Sequence, residues 1–342
     1  MLSIGLLTLV ACQPKPPEPV VADAFTVIFI GDTEPRMRGN TDAEVAGAVR
    51  NLVSLKSNRV RYFNANGGKQ YRIDPKLVIL GGDISADRTT SIAADLPLYE
   101  PLYRAGVPFI AGFGNHDWDS IWNADPHSEA GQLSNEDTTA FTRETYRRSA
   151  AMAGGITYQE VAPSASHGPT TFFATFRGVD IANFNTFLYE PSYDYPQDSP
   201  LGCTASTSGP CPLFRSAEPQ IAAMDTIARR SPKRTMLVVQ HYPLSTNRLF
   251  WSDYGATGRT YEQRRQRLLQ FMATHDKVAL FAAHNHTSKK TIHEVNGRIV
   301  GEYIAPYFGG DGGHDPSRAG GSLAILVSPT KGILEVKELP PG

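Results

Sequence analysis

The sequence predicts a mixed α/β fold built from short buried strands whose ends carry clusters of polar residues. The chain has 342 residues, 41% of them hydrophobic, which suffices for a sizeable core in one large domain or in one domain with insertions. A unit of strand and polar loop recurs along it, and two apolar runs near the C-terminus indicate a closing hairpin. A β-rich C-terminus of this kind favours two packed sheets over a single doubly wound sheet.

The first unit begins with a continuous apolar run at Phe25–Ile30, which is typical of a strand buried on both faces. Thr41 and Glu44 then have the spacing of a capping box, in which two side chains satisfy the first free amides of a helix. Apolar residues at helical spacing follow, namely Val45, Val49, Leu52 and Val53. This region therefore predicts a strand, a loop and a helix in succession.

Four later apolar runs also end in polar residues that can bind metals. The runs cover residues 77–80, 107–111, 236–239 and 278–281, and the clusters that follow are Gly82-Asp83, Gly114-Asn115-His116-Asp117, His241 and His284-Asn285-His286. In an α/β sheet, functional residues collect at the carboxyl ends of the strands. We therefore expect these clusters to converge on one site.

The remaining elements are predicted from caps and alternation. Ser134 is predicted as the N-cap of a helix that runs to Met152 and stops at two glycines. Residues 170–185 alternate as a hairpin does, residues 186–215 indicate a long surface loop, and residues 322–336 predict the final hairpin.

Together the strand-end clusters contribute carboxylate, amide and imidazole side chains, which are Asp32, Glu34, Asp83, Asn115, His116, His241, His284 and His286. This mixture of oxygen and nitrogen ligands, without a thiolate, suits a pair of divalent ions such as Mn, Fe, Zn or Mg. Two ions about 4 Å apart, bridged by one carboxylate, can bind both the attacking and the leaving side of a phosphoryl centre.

The ordered motifs Gly82-Asp83, Gly114-Asn115-His116-Asp117, His241-Tyr242-Pro243 and His284-Asn285-His286 resemble those of the calcineurin-like metallophosphoesterases. Each motif alone is weak, whereas the ordered set at predicted strand ends is specific. The resemblance covers residues 25–290 and implies a four-layer α/β/β/α sandwich. It also implies hydrolysis of a phosphate mono- or diester by hydroxide bound between two divalent metals, with Mn favoured.

The resemblance assigns roles by position. Asp83 is the bridging carboxylate; Asp32, Glu34 and His286 bind the first metal; and Asn115, His241 and His284 bind the second. His116 is the candidate general acid or an electrostatic clamp on a phosphate oxygen. For Asp117 two roles remain open, because it either orients His116 or caps its loop.

Two positions separate the chain from relatives within that family. The family's first motif is normally Asp-x-His, and Glu34 occupies the histidine position here. Glutamate is a harder, anionic ligand that disfavours soft metals. The second position is Ala86, where purple acid phosphatases carry a tyrosine ligand, so the resemblance excludes the iron–tyrosinate type.

The N-terminal residues predict a location in the bacterial cell envelope. An apolar run ends in Leu9-Val10-Ala11-Cys12, which resembles the lipobox of bacterial lipoproteins, and a Pro-rich tether follows. Residues 1–23 are thus predicted as signal and tether, with a lipid on Cys12 as the membrane anchor. Gln13 favours the outer membrane by resemblance. A secretory signal normally has a basic segment before its apolar run, and no Lys or Arg precedes the run here. The alternative interpretation of this run is a buried first strand.

Residues 24–342 are predicted as the phosphoesterase domain, with an insertion at about 119–231 over the rim of the site. Within that insertion, Cys203 and Cys211 flank a small polar segment, which in an oxidising compartment predicts a short disulfide-closed loop.

The net charge of −1 gives no global basic field for nucleic acid, so no nucleic-acid partner is expected and a nuclease is disfavoured. The other alternative is a non-catalytic envelope protein that uses the same fold for binding. Metal ligands do not choose among a monoester, a cyclic nucleotide, a lipid head group and a phosphoprotein as substrate.

Overall fold

The structure, a computed structural model, describes residues 21–35, 41–57, 61–65, 69–84, 92–114, 117, 129–161, 171–184, 217–245, 258–308 and 321–340. Predictions for Cys12, Cys203, Cys211, Asn115 and His116, and for the loop at 186–215, concern residues outside these ranges. None of the helices in the described ranges is long and apolar enough to cross a membrane.

The described elements alternate between strands and helices along the chain. In chain order they are β1 (Phe25–Ile30), α1 (Asp42–Ser54), β2 (Tyr62–Ala65), β3 (Lys69–Arg72), β4 (Pro75–Leu80), a 3-10 helix (Ile92–Tyr99), α2 (Glu100–Arg104), β5 (Phe109–Ala111), α3 (Glu129–Ala150), β6 (Thr157–Val161), β7 (Thr171–Phe176), β8 (Val179–Phe184), α4 (Ala217–Ala228), β9 (Met236–Gln240), α5 (Gly258–Ala273), β10 (Val278–Ala282), β11 (Lys289–Val295), β12 (Arg298–Ile304), β13 (Ser322–Ser328) and β14 (Gly332–Leu339).

Most of these strands form two sheets. The first has the order β14-β13-β1-β4-β5, in which β1, β4 and β5 are parallel and β13 runs antiparallel to β1. The second has the order β11-β12-β10-β9-β8-β7-β6, with β8, β9, β10 and β12 parallel. Each sheet therefore gathers the carboxyl ends of its parallel strands at one edge, where residues that follow the strands can meet.

Three buried apolar clusters show how the layers pack. One cluster lies between the sheets and joins residues of both, including Phe29 and Phe281, whose ring centroids are 5.8 Å apart. A second lies on the outer face of the first sheet beneath α1 and α2. A third lies on the outer face of the second sheet beneath α4 and α5. The predicted mixed α/β fold with sheet packed on sheet is confirmed.

Several local predictions are confirmed as well. The apolar run Phe25–Ile30 is β1 and is buried throughout. Thr41 and Glu44 form the predicted capping box, with the Glu44 N–H donating to the Thr41 hydroxyl over 3.2 Å. The hairpin at 170–185 consists of β7 and β8.

One local prediction is wrong. Ser134 is not a helix N-cap, because α3 already begins at Glu129 and Ser134 lies inside it. Ser128 directly precedes Glu129 and is the same type of capping residue as Ser134, so residue type alone did not distinguish the two possible starts.

The segment 119–231, for which a rim insertion is predicted, contributes much of its described part to the sandwich. Helix α3 packs on the first sheet, and β6, β7 and β8 extend the second. A position over the rim stays a prediction for the part outside the described residues.

Candidate metal centre

The candidate ligands lie where strands of both sheets end. Asp32 follows β1 and Asp83 follows β4 in the first sheet, whereas His241 follows β9 in the second. One ligand atom from each of these three residues lies within 4.8 Å of the others. The convergence predicted from the sequence therefore occurs for two carboxylates and one imidazole from different sheets.

Two more histidines border this cluster. Nε2 of His286 lies 3.6 Å from Oδ1 of Asp32, and Nδ1 of His284 lies 3.3 Å from Nε2 of His241. Nε2 of His241 is in turn 3.3 Å from Oδ2 of Asp83 and 3.8 Å from Oδ1 of Asp32. Asp32, Asp83 and the three histidines thus form one continuous group.

The tautomer of His241 fits a metal ligand. Its Nδ1 lies 3.1 Å from the carbonyl oxygen of Gly81, which can only accept, so Nδ1 carries the proton and donates. Nε2 then offers its lone pair toward the carboxylates of Asp83 and Asp32. A ligating histidine commonly donates its other ring N–H to a carbonyl in this way.

The carboxylate of Asp32 also fits a cation. The group is buried, and its Oδ2 accepts a hydrogen bond of 3.0 Å from the N–H of His284. Its Oδ1 accepts none from any described residue. A buried ionised oxygen without a donor is costly, and a divalent ion bound by Asp32 would remove that cost.

Electrostatics keep Asp32 ionised. Burial acts to raise the pKa of Asp32, but its polar neighbours, His286 above all, outweigh it and hold the pKa well below its ordinary value. An anion at this position is the form that a metal ligand requires.

The backbone of the site adopts a conformation that side chains other than glycine rarely take. The values of φ are +53° at Asp83, +68° at His284, +55° at His286 and +32° at Glu34. Left-handed residues of this kind cost free energy and concentrate at functional sites, where the surroundings enforce them.

For Asp83, the surroundings that enforce this conformation are visible. Its carbonyl oxygen accepts hydrogen bonds from the N–H groups of Thr33 and Glu34, at 3.1 and 3.2 Å. The hydroxyl of Thr33 donates to the same oxygen over 3.2 Å and to the carbonyl of Ile84 over 3.1 Å. These hydrogen bonds hold the loop after β1 against the loop after β4.

Tyr99, at the end of the 3-10 helix, fixes the side chain of Thr33. Its hydroxyl donates to the hydroxyl of Thr33 over 3.0 Å, and burial raises the pKa of Tyr99, so the phenol keeps its proton. Sequence reasoning missed both residues. Thr33 stands at the variable position of its motif, and Tyr99 is 66 residues away, so no spacing pattern connects them.

Asp117 connects the loop after β4 to the loop after β5. Its Oδ1 accepts from the N–H of Ile84 and its Oδ2 from the N–H of Gly114, both over 2.7 Å. Of the two predicted roles, the structure describes the loop cap. Orientation of His116 by Asp117 remains a prediction, because His116 and Asn115 lie outside the described residues.

Glu34 is the least settled of the predicted ligands. It is fully buried, in the loop after β1 that also carries Asp32, and its N–H donates to the carbonyl of Asp83. Its carboxylate is not among the ligand atoms that lie within 4.8 Å of one another. Ligation by Glu34 stays a prediction.

The family profile described as calcineurin-like phosphoesterase matches residues 25–288. No curated protein matches the chain. Among solved structures, a 5'-nucleotidase from Candida albicans SC5314 is similar, with a TM-score of 0.43, 11% identity and coverage of 93% of this chain.

The chain spans 52%, about half, of the length of that nucleotidase. A phosphopantetheinyl hydrolase from Mycobacterium tuberculosis is similar with a TM-score of 0.42 and 14% identity, over 86% of this chain and 92% of the other. The family profile covers well over half of the chain and includes every candidate ligand. The chain therefore belongs to the calcineurin-like phosphoesterase family of metal-dependent phosphoesterases.

Proposed function

We propose that the chain hydrolyses a phosphate mono- or diester at a centre of two divalent metal ions, with Mn favoured. The observation that carries the proposal is the meeting of Asp32, Asp83 and His241, with ligand atoms all within 4.8 Å. Oδ2 of Asp83 lies 3.3 Å from Nε2 of His241, and Asp83 also belongs to the same cluster as Asp32. That position suits a bridging ligand.

The ligands are assigned to two groups that share Asp83. Asp32 and His286 are 3.6 Å apart and would hold the first ion, with Glu34 from the same loop as Asp32. His241 and His284 are 3.3 Å apart and would hold the second, with Asn115 as an added amide ligand. The charge and shape of this donor set match hard or borderline divalent metals.

When bound, the two ions supply an activated water and stabilise charge on the phosphoryl oxygens. The residues of the chain do the rest. Asp83, fixed by its hydrogen bonds with Thr33 and Glu34, would hold the two ligand groups together. His116 protonates the leaving oxygen or holds a phosphate oxygen, and Asp117 fixes the loop that carries it. No covalent enzyme intermediate is needed.

Activity is tested with chromogenic phosphate mono- and diesters. Protein treated with EDTA should be inactive, and added Mn should restore turnover of at least one ester. Asp83→Asn should abolish turnover, because it removes the anion that lets two cations sit close together. A wild-type protein that binds Mn but turns over neither ester would favour the non-catalytic binding protein.

We further propose that the protein acts in the bacterial cell envelope, anchored by a lipid on Cys12. The support is the sequence Leu9-Val10-Ala11-Cys12 followed by the Pro-rich tether. Fractionation of cells that express the full chain tests this. The protein should sediment with membranes, and Cys12→Ala should shift it to the soluble fraction. An unchanged distribution of Cys12→Ala would contradict the anchor.

A further inference from the structure

A chain of three polar residues, two of them buried, lies where α5 packs on the second sheet. It consists of Arg265 on α5, His293 on β11 and Glu302 on β12. A nitrogen of the Arg265 guanidinium lies 3.3 Å from Nδ1 of His293, and Nε2 of His293 lies 2.9 Å from Oε2 of Glu302. His293 and Glu302 are both buried, within the layer where α5 packs on the sheet.

The chemistry of the three groups fixes the proton positions. A guanidinium has no acceptor, so Nδ1 of His293 must accept from Arg265 and carries no proton. Nε2 then bears the proton of the neutral ring and donates to Glu302. Both oxygens of Glu302 act as acceptors, because Oε1 accepts from the backbone N–H of Leu244. Glu302 therefore accepts two hydrogen bonds, one from His293, whose ring is held by Arg265, and one from the backbone of Leu244.

That amide belongs to the loop that carries His241. Pro243 has no N–H, so Leu244 supplies the first backbone donor after Tyr242. The ring of Tyr242 packs on His284, with centroids 4.2 Å apart, and the carbonyl of His241 accepts a 2.9 Å hydrogen bond from the N–H of Ala283. A displacement of this loop therefore reaches both histidines of the second ligand group.

We propose that Glu302, oriented by His293 and Arg265, is a positioning residue for the loop 241–244 and so for the metal ligands His241 and His284. This inference rests on the proposed metal centre, though not on its catalytic activity. A carboxylate is a costly way to satisfy one amide in an apolar layer. It makes a stronger, more directional hydrogen bond than a neutral acceptor does, which suits the precise placement of a metal ligand.

The first test is Glu302→Gln. The new carboxamide keeps the shape but has only one acceptor oxygen, so it cannot accept from both the Nε2–H of His293 and the N–H of Leu244. Arg265 prevents the ring of His293 from adopting its other tautomer. The conflict should displace the contact with Leu244. Mutation of groups that orient metal ligands typically weakens metal binding about 10–100-fold, so we expect the Mn Kd of the site formed by His241 and His284 to rise about tenfold or more. The kcat should fall with little change in KM.

Glu294→Gln is the matched control. Glu294 lies on the same strand as His293 but is exposed, so the same loss of charge should leave Mn binding unchanged. Glu302→Asp is the second variant, in case Glu302→Gln does not fold. It keeps the charge but is one methylene shorter, so it cannot reach both Leu244 and His293, and it should also raise the Mn Kd.

Measurement of Mn binding at a temperature where each variant is fully folded separates positioning from general destabilisation. A loss of Mn affinity in folded Glu302→Gln and Glu302→Asp, with none in Glu294→Gln, is the result that the positioning role predicts.

Mn binding by equilibrium dialysis and thermal unfolding of the metal-free protein distinguish the outcomes. A lower melting temperature of Glu302→Gln with a Mn Kd within twofold of wild type would show a purely structural role and overturn the proposal. If wild type binds Mn but hydrolyses no ester, the proposed function fails while the Mn measurements still test Glu302.

Discussion

Gly114→Ala probes the narrowest contact of the site. A Cβ at Gly114 would lie 2.0 Å from Oδ1 of Asp83 and 2.2 Å from its backbone nitrogen. Restoring an ordinary separation between carbon and these atoms requires a displacement of about 1.4 Å or more. Because one of the two atoms is backbone, rotation of the Asp83 side chain cannot relieve the overlap.

The expected loss follows from that displacement. Metal–ligand distances tolerate only about 0.2 Å, and a misplacement of about 1 Å in a catalytic constellation costs roughly 100-fold in rate. We therefore expect kcat/KM to fall at least about 100-fold, which corresponds to about 2.7 kcal/mol of transition-state stabilisation. The affinity for Mn should fall with it, since Asp83 is the proposed bridging ligand.

The assay is hydrolysis of a chromogenic phosphate ester at saturating Mn, together with Mn binding. Gly47→Ala is the matched control. Gly47 lies in α1, where a Cβ comes no closer than 3.8 Å to a neighbour, so activity should be unchanged and stability should rise by roughly 0.5–1 kcal/mol. Full activity and unchanged Mn binding in Gly114→Ala would refute the placement of Asp83 at the centre.

Three further predictions follow from the loops and the cysteines. Thr33→Val should leave the buried hydroxyl of Tyr99 without its acceptor and lower the free energy of unfolding by about 1–3 kcal/mol. Thr33→Ser keeps the hydroxyl and should unfold as wild type does. Equal unfolding curves for Thr33→Val and wild type would contradict the role of the Thr33 hydroxyl in holding the loop of Asp83. Glu34→Gln should reduce activity in a way that higher Mn partly restores, and a flat response would remove Glu34 from the ligands. Cys203 and Cys211 should resist alkylation until reduced, as mass analysis would show, and their disulfide should contribute about 2–4 kcal/mol.

The sequence alone sufficed to predict the convergence of Asp32, Asp83 and His241. Each of these residues directly follows a continuous apolar run, and such runs become parallel strands buried on both faces. Because parallel strands in a sheet end at one edge, the order of motifs fixed the neighbourhood of the ligands without any knowledge of distances. The same reasoning placed His284 and His286 after β10.

Other features could not be predicted because their determinants are distant or weakly patterned. The hairpin of β11 and β12 was missed, since Lys289–Val295 is mostly exposed and carries little apolar signal. The chain from Arg265 through His293 to Glu302 depends on that hairpin and on α5. The contact of Tyr99 with Thr33 joins residues that only the packed fold brings together. Hydrogen bonds between polar residues that are distant in sequence leave no hydrophobic periodicity, so only the folded structure reveals them.

The number of metal ions held by the protein tests the central claim most directly. Metal-free protein is reconstituted with saturating Mn, freed of unbound ion and analysed for metal and protein content. The account predicts two Mn ions per chain for wild type and a clear loss for Asp83→Asn, because both ions depend on its carboxylate. One ion or fewer per wild-type chain would contradict the two-metal centre.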